Sequence, residues 1–354
     1  MPASARRWVL TTLASLVWLT LLPAPSVSTL PEPDAPWFPA TGAYLGASVS
    51  AQADETLPVC RDTSQRTSRE AFEHPVCTGK GTFLDHQFHR WDGSRQAKPW
   101  PTDYDRWSRD QGRRLFINWT ARRADGEIVR WAEIAGGRHD ATIDAQAQAV
   151  KAFEAPIYLS FHAEPEHKDA SSPWGTPKDF RTAWRRIVDR FRAADVDNVR
   201  WVFTLMAWTW NPSSKRDPSA FWPGTEYVDA VGVDGYNWYG CSGAKNAWAS
   251  LGAIMQRPYE WAEARGKPMF VAEWGSVEDP ADHERKGLWL REAAEWVKSH
   301  PNVKALTYFH RDDVEPSVVR DCDWTVDTSL ASLLAFRSLV VDPYFNPVPA
   351  LPIG

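Results

Sequence analysis

Phe161-His162-Ala163-Glu164-Pro165-Glu166 and Phe270-Val271-Ala272-Glu273-Trp274-Gly275 decide the reading of this chain. Each is a short apolar run that closes on a glutamate beside aromatic residues. A carboxyl at the mouth of one strand can act as an acid. A second, at the mouth of another, can act as a nucleophile. Together they are the minimum equipment for breaking a glycosidic bond with retention.

Working outward, these two runs belong to a series. Strand candidates fall at 44–48, 82–88, 115–119, 157–163, 199–205, 230–234, 269–273 and 305–309. Eight short apolar runs alternating with helical patterns argue for a parallel α/β architecture. The expectation is one (β/α)8 barrel domain over residues 40–345. In that count Glu164 ends strand four and Glu273 ends strand seven, where barrel enzymes carry their reacting groups. Phe180, Trp184, Ile187 and Phe191 follow helical spacing, behind a Thr176 cap, Pro177 in the first turn and Asp179. Further helices are expected over 246–265, ending at Gly266-Lys267-Pro268, and over 286–299, ending before Pro301. Gly136-Gly137 reads as a turn.

The ends read differently. Arg6 and Arg7 precede an apolar run from Trp8 to Leu22, followed by small residues to Ser28. This is the layout of a secretory signal peptide over 1–28. The run is short for a membrane span. Its removal takes two arginines and no acids, and moves the formal charge from −5 to −7. A mildly acidic chain offers no basic field to nucleic acid. Pro31, Pro33, Pro36 and Pro39 make 29–39 a stiff N-terminal arm, and 346–354 is a C-terminal tail. A secreted, extracellular monomer without stable membrane association is expected. The four cysteines allow three pairings. Cys60–Cys77, a local staple, and Cys241–Cys322, a link between loops at one barrel mouth, are favoured. No CxxC spacing supports zinc.

Twenty-one tryptophans are many for 354 residues. Trp91, Trp100, Trp119, Trp174, Trp208, Trp210, Trp238 and Trp274 stand in loop-like, polar surroundings, where flat rings could stack on sugars. Packing is the ordinary alternative for each ring. His162, Glu164, Glu166, His167 and Asp169 suggest a metal cluster. The two histidines are five apart rather than four, and Pro165 breaks any helix between them, so no metal is expected. His86 and His89 end strand two and are candidates for the cleft. Asp234 ends strand six, in a role the sequence leaves open.

The chain resembles glycoside hydrolase family 26, a family of the retaining barrel glycosidases that includes β-mannanases and some xylanases and glucanases. The carriers are residues 161–166, Pro173-Trp174-Gly175, Asn198-Val199-Arg200-Trp201-Val202, Tyr227-Val228-Asp229, residues 231–238, Pro268 to Ser276, and Lys304 to Phe309. The resemblance implies Glu164 as acid/base, Glu273 as nucleophile, Tyr236 as a hydrogen-bond donor to the nucleophile, and Trp174 as an aromatic cleft wall. It implies a polysaccharide substrate and no cofactor. Trp238, Trp274, Trp119, Trp208, His162 and His86 complete the candidate sugar contacts. One departure matters. Family mannanases place histidine directly before the acid/base, and the wider clan asparagine; this chain has Ala163. Strand alternation puts His162 opposite Ala163, so it does not replace the missing contact without a local bend. A different glycan, such as an exopolysaccharide, or a barrel that binds polysaccharide without cleaving it, are the alternatives.

Overall fold

The structure, a computed structural model, describes residues 35–49, 68–73, 77–79, 81–94, 100–166, 172–214, 216–241, 247–311, 322–345 and 347. The leader at 1–28, Cys60, His167 and Asp169 lie outside them, as does all of the tail except Pro347.

Eight parallel strands form a closed barrel. In order they are Tyr44–Val49, Leu84–Arg90, Arg114–Trp119, Ile157–Phe161, Val199–Met206, Ala230–Asn237, Met269–Ser276 and Val303–His310. The first pairs with both the second and the eighth, which closes the ring. A two-residue strand, Gly93–Ser94, folds back on the second. Each expected run contains a strand, with ends displaced by a few residues.

Alternation sorts the side chains into two layers. Leu115, Ile117, Leu159, Phe203, Val231 and Val271 face the helices and join the larger core. Tyr44, Leu84, Phe116, Tyr158, Val202, Ala230, Phe270 and Ala305 fill the barrel interior. The interior is tight. A Cβ on Gly46 would sit 2.4 Å from the Leu84 Cβ, so only glycine fits there.

The N-terminal arm is more than a linker. Ala35, Trp37 and Phe38 pack into the interior cluster from the barrel's floor. Trp37 meets Tyr158 edge-on at 5.6 Å, and Arg114 donates to the Ala35 and Pro36 carbonyls. The floor exposes apolar rings, and the arm covers them from water.

Pro177–Ala193 forms the expected helix, with a capping box between Thr176 and Asp179. Arg285–Ser299 matches its expected range within one residue. The helix expected from 246 begins later, at Leu251, because Ser250 caps it by accepting from the Ala253 N–H. Helices Asp140–Ala152 and Leu330–Val341 were not singled out in the sequence. The first is rich in alanine and glutamine. The second is apolar on nearly every face, so neither shows a clear period.

Candidate active site

Two different backbone devices bring the glutamates to the mouth of the barrel. The fourth strand stops at Phe161. His162 and Glu164 then adopt left-handed backbone angles, with φ of 50° and 56°. Such angles cost roughly 1–3 kcal/mol each for non-glycine residues, and persist only when the surroundings fix them. Here three successive N–H groups are held. His162 donates to the Trp119 carbonyl, Ala163 to Asn118 Oδ1, and Glu164 to the Thr204 carbonyl. The turn is thus pinned to the third and fifth strands, and the alternation expected through residue 163 ends two residues early.

The seventh strand continues straight past its glutamate. Phe270 and Ala272 face the interior, so regular alternation would send Glu273 outward. The pairing with strand six steps from Val233↔Val271 to Asp234↔Glu273, which leaves Ala272 as an extra residue. The pairing with strand eight shifts at the same place. This β-bulge changes the phase. Glu273 turns inward to the mouth, and Trp274 turns outward into the helical layer.

The sixth strand adds a third acid. Its inward phase runs Ala230, Gly232, Asp234, Tyr236. One carboxylate oxygen from each of Glu164, Asp234 and Glu273 lies within 4.8 Å of the others. Asp234 and Glu273 are buried. Tyr236 donates its hydroxyl to Glu273 Oε2 at 2.5 Å. Three negative charges at this spacing repel strongly, so protons must be retained. Burial, then the nearby Glu166 charge, pushes the Glu164 carboxyl up to about 7. Burial, followed by the charges of Glu273 and Glu164, holds Asp234 well above the carboxylate range. Both Asp234 oxygens are buried without a hydrogen-bond donor among the described residues, and two carboxyl groups can bond to each other only if one carries a proton. The cluster's oxygens would also suit a hard cation; a retained proton answers the same repulsion. The period-two pattern from Ala230 could have assigned Asp234 to the site, since it puts Asp234 on the face of Tyr236.

The other candidates divide. Trp208 and Trp238 are half-buried and line a cavity of about 330 Å³ with Asp234, Tyr236 and Arg257. Trp174 lines a second cavity of about 280 Å³ with Ala163, Glu164 and His162. Its indole N–H is taken by the Ala121 carbonyl. His162 is buried, accepts from the Ala121 N–H, and packs edge-on between Trp131 and Trp174. Its burial, and then Arg122, lowers its imidazole to about 3, so it is neutral.

Three expectations are corrected. Trp274 is fully buried, stacked on Trp289 and edge-on to Tyr308. Trp119 is buried and stacked on Trp91 at 4.5 Å. Both occupy the outward phase, so neither has a face to offer a sugar. His86 points into the barrel, stacked on Phe116 at 4.4 Å and 2% exposed. Glu166 braces the exit of strand five: its Oε1 accepts from the Met206 N–H and the Thr209 hydroxyl. The favoured Cys241–Cys322 bond is present beside Tyr236 and Trp324. Cys77 is also disulfide-bonded.

The profile of glycosyl hydrolase family 26 matches residues 142–276, a span that contains both glutamates. Endoglucanase H of Acetivibrio thermocellus is 28% identical over 279 residues, 75% of this chain and 29% of that protein. The β-1,3-xylanase TXYA of a Vibrio species is 25% identical over 152 residues, 42% of this chain and 29% of that one. The chain therefore spans less than a third of these relatives. Among solved structures, the catalytic domain of an endo-β-1,4-mannanase from Bacillus sp. JAMB-750 superposes with a TM-score of 0.57 at 16% identity, over 86% of this chain and 87% of that one. A structure from Muricauda sp. MAR_2010_75 gives the same TM-score at 15% identity and the same coverage. The barrel fold and the family resemblance read from the sequence both stand.

Proposed function

We propose that this chain, a barrel of glycosyl hydrolase family 26 by its match over residues 142–276, is a glycoside hydrolase that cleaves β-linked polysaccharide internally and with retention. The observation that carries this reading is the approach of Glu164 and Glu273, whose nearest oxygens lie within 4.8 Å. Retaining enzymes hold their two carboxyls about 5–5.5 Å apart, whereas inverting enzymes need roughly 6.5–9.5 Å to admit water.

In this reading Glu273, aligned by the Tyr236 hydroxyl, attacks the anomeric carbon. Glu164 protonates the departing oxygen, then takes a proton from the water that releases the sugar. Its elevated pKa keeps it protonated up to about pH 7, which the first step requires. Asp234 holds a proton against Glu164 and limits the charge that gathers when the nucleophile is ionised.

The relatives act, by their names, on different glycans: a glucan, a β-1,3-xylan and a β-1,4-mannan. Ala163 argues against efficient use of plain β-mannan. It also favours the second reading, a barrel that binds polysaccharide without cutting it. Against that stands the carboxyl cluster, since a binder has no need of three carboxyls so closely spaced. Export is part of the proposal: the Cys241–Cys322 disulfide suits an oxidising compartment, and no helix among the described residues is long and apolar enough to cross a membrane. A panel of polysaccharides, with wild type and Glu273→Ala compared on each, tests the reading. Cleavage lost in the variant supports it. Binding without cleavage of any polymer by the wild type supports the binder instead.

A further inference from the structure

The cleft has two unlike arms beside the carboxylates. The arm with Trp208 and Trp238 is aromatic. The other, about 280 Å³, is lined by Arg90, Thr120, Arg122, His162, Ala163 and Glu164, with Trp174. Two arginines thus line the cavity that holds the candidate acid.

Arg122 is held in place rather than loose at the rim. Its backbone N–H donates to the Thr120 carbonyl, and its own carbonyl accepts from the Trp91 N–H, both at 2.8 Å. Its guanidinium lies over the Trp174 ring, 5.1 Å from the centroid, and one nitrogen donates to the Gly126 carbonyl. The ring face that a neutral sugar would use is therefore covered by a cation. Among the described residues no carboxylate pairs with Arg122. Arg90, the last residue of strand two, faces the same cavity.

Among the described residues Arg122 gives this arm positive charge. His162 is neutral, and Glu164 keeps its proton up to about pH 7. The chain as a whole is negative, with a formal charge of −5, so this cationic pocket is local. Arginine is suited to a planar anion, because its fixed fork matches both oxygens of a carboxylate. Ala163 carries no polar group into the cavity and leaves room for a substituent on the sugar ring.

We propose that this arm binds the carboxylate of an acidic sugar unit next to the point of cleavage, so that the natural substrate is a uronic-acid-bearing polysaccharide. The inference rests on the glycoside hydrolase reading and names its substrate class. Arg122, set on the Trp174 ring, grips the carboxylate.

The test is an NMR titration of the full chain with sodium D-glucuronate and with D-glucose, for wild type and for Arg122→Gln. Wild type is expected to bind glucuronate about tenfold or more tightly than glucose, as a charge-assisted hydrogen bond implies. Arg122→Gln removes the preference for glucuronate over glucose. Added 0.5 M sodium chloride weakens glucuronate binding and spares glucose. Arg122→Lys, which keeps the charge but not the fork, retains part of the preference and controls for a folding defect. Equal binding of the two sugars, no binding of either at 100 mM, or a preference that survives Arg122→Gln overturns the proposal. Polysaccharide turnover is scored separately. Hydrolysis of neutral polymers without a glucuronate preference sinks the acidic-sugar arm alone. A glucuronate preference without hydrolysis of any polymer sinks the hydrolase reading on which it rests.

Discussion

The exits of strands four and seven solve one problem by different means. Strand four ends, and a pinned left-handed turn lifts Glu164 into the mouth. Strand seven runs on, and a single extra residue rotates Glu273 inward. The turn depends on three hydrogen bonds to neighbouring strands. The bulge depends on the packing of Trp274, which it sends to the outer layer. In the proposed roles Glu164 serves two proton transfers and Glu273 holds one position. Behind Glu164 stand three N–H bonds, one of them to the Asn118 side chain; behind Glu273 stands the buried Trp274 wall.

Removing the carboxyls themselves gives the largest effects. Glu273→Ala should lower kcat by roughly 10⁴–10⁶-fold on every substrate, as loss of a nucleophile does. Glu164→Ala should cost roughly 10²–10⁴-fold on natural glycans and spare the first step on activated aryl glycosides. Azide should then partly restore the second step, because a small anion needs no general base. Wild-type rates in both variants would remove the two glutamates from the chemistry.

Next comes the wall behind the bulge. Trp274→Ala should destabilise the fold by about 3–5 kcal/mol, the usual range for emptying a buried tryptophan site, as read by denaturant unfolding. The folded fraction should keep its KM. A raised KM with unchanged stability would return Trp274 to the cleft.

Smaller substitutions separate the two exits. Asn118→Ala strands the Ala163 N–H, and loosening of the turn should lower kcat about tenfold, in line with a buried donor losing its partner. The loss should shrink on substrates with good leaving groups. Tyr236→Phe removes a hydrogen bond to Glu273, and its similar loss should be independent of the leaving group. Identical leaving-group dependence in the two variants would erase the distinction between the exits.

The smallest effect is on pH. Glu164 must be protonated to act, so kcat should fall as pH rises through about 7. The Glu166 charge raises that carboxyl, hence Glu166→Gln should move this alkaline limb to lower pH. Stability follows the same sign. Glu164 and Glu166 both rise from 4.5 to about 7 in the folded chain, so their contribution is complete below about 4.5 and is lost as pH rises through 7. The melting temperature should decline from pH 5 to 8, and less steeply in Glu166→Gln. A limb that stays in place would show that Glu166 does not act on Glu164.

These particulars also mark what the sequence could convey. The eight apolar runs located the barrel, because inward and outward residues are both apolar over most of each strand. The glutamates were legible because each sits where such a run ends. The bulge was not, since one extra residue leaves no mark in composition and shows only as a shift in register. The bulge also hid the outward phase of Trp274, whereas Trp119 was misread from its polar neighbours, although plain alternation with Leu115 and Ile117 turns it to the helices. Asp234 was visible as a residue and not as a partner, because its meaning lies in carboxyls 70 and 39 positions away in the chain.

The central claim is that Glu164 and Glu273 together perform a double displacement. The most direct measurement is proton NMR of the anomeric signals at early times, on whichever β-linked polysaccharide of the panel the wild-type protein cleaves. The account predicts that the new reducing end appears first in the β configuration and only later mutarotates. An α product appearing first, or no cleavage of any polymer, would contradict it.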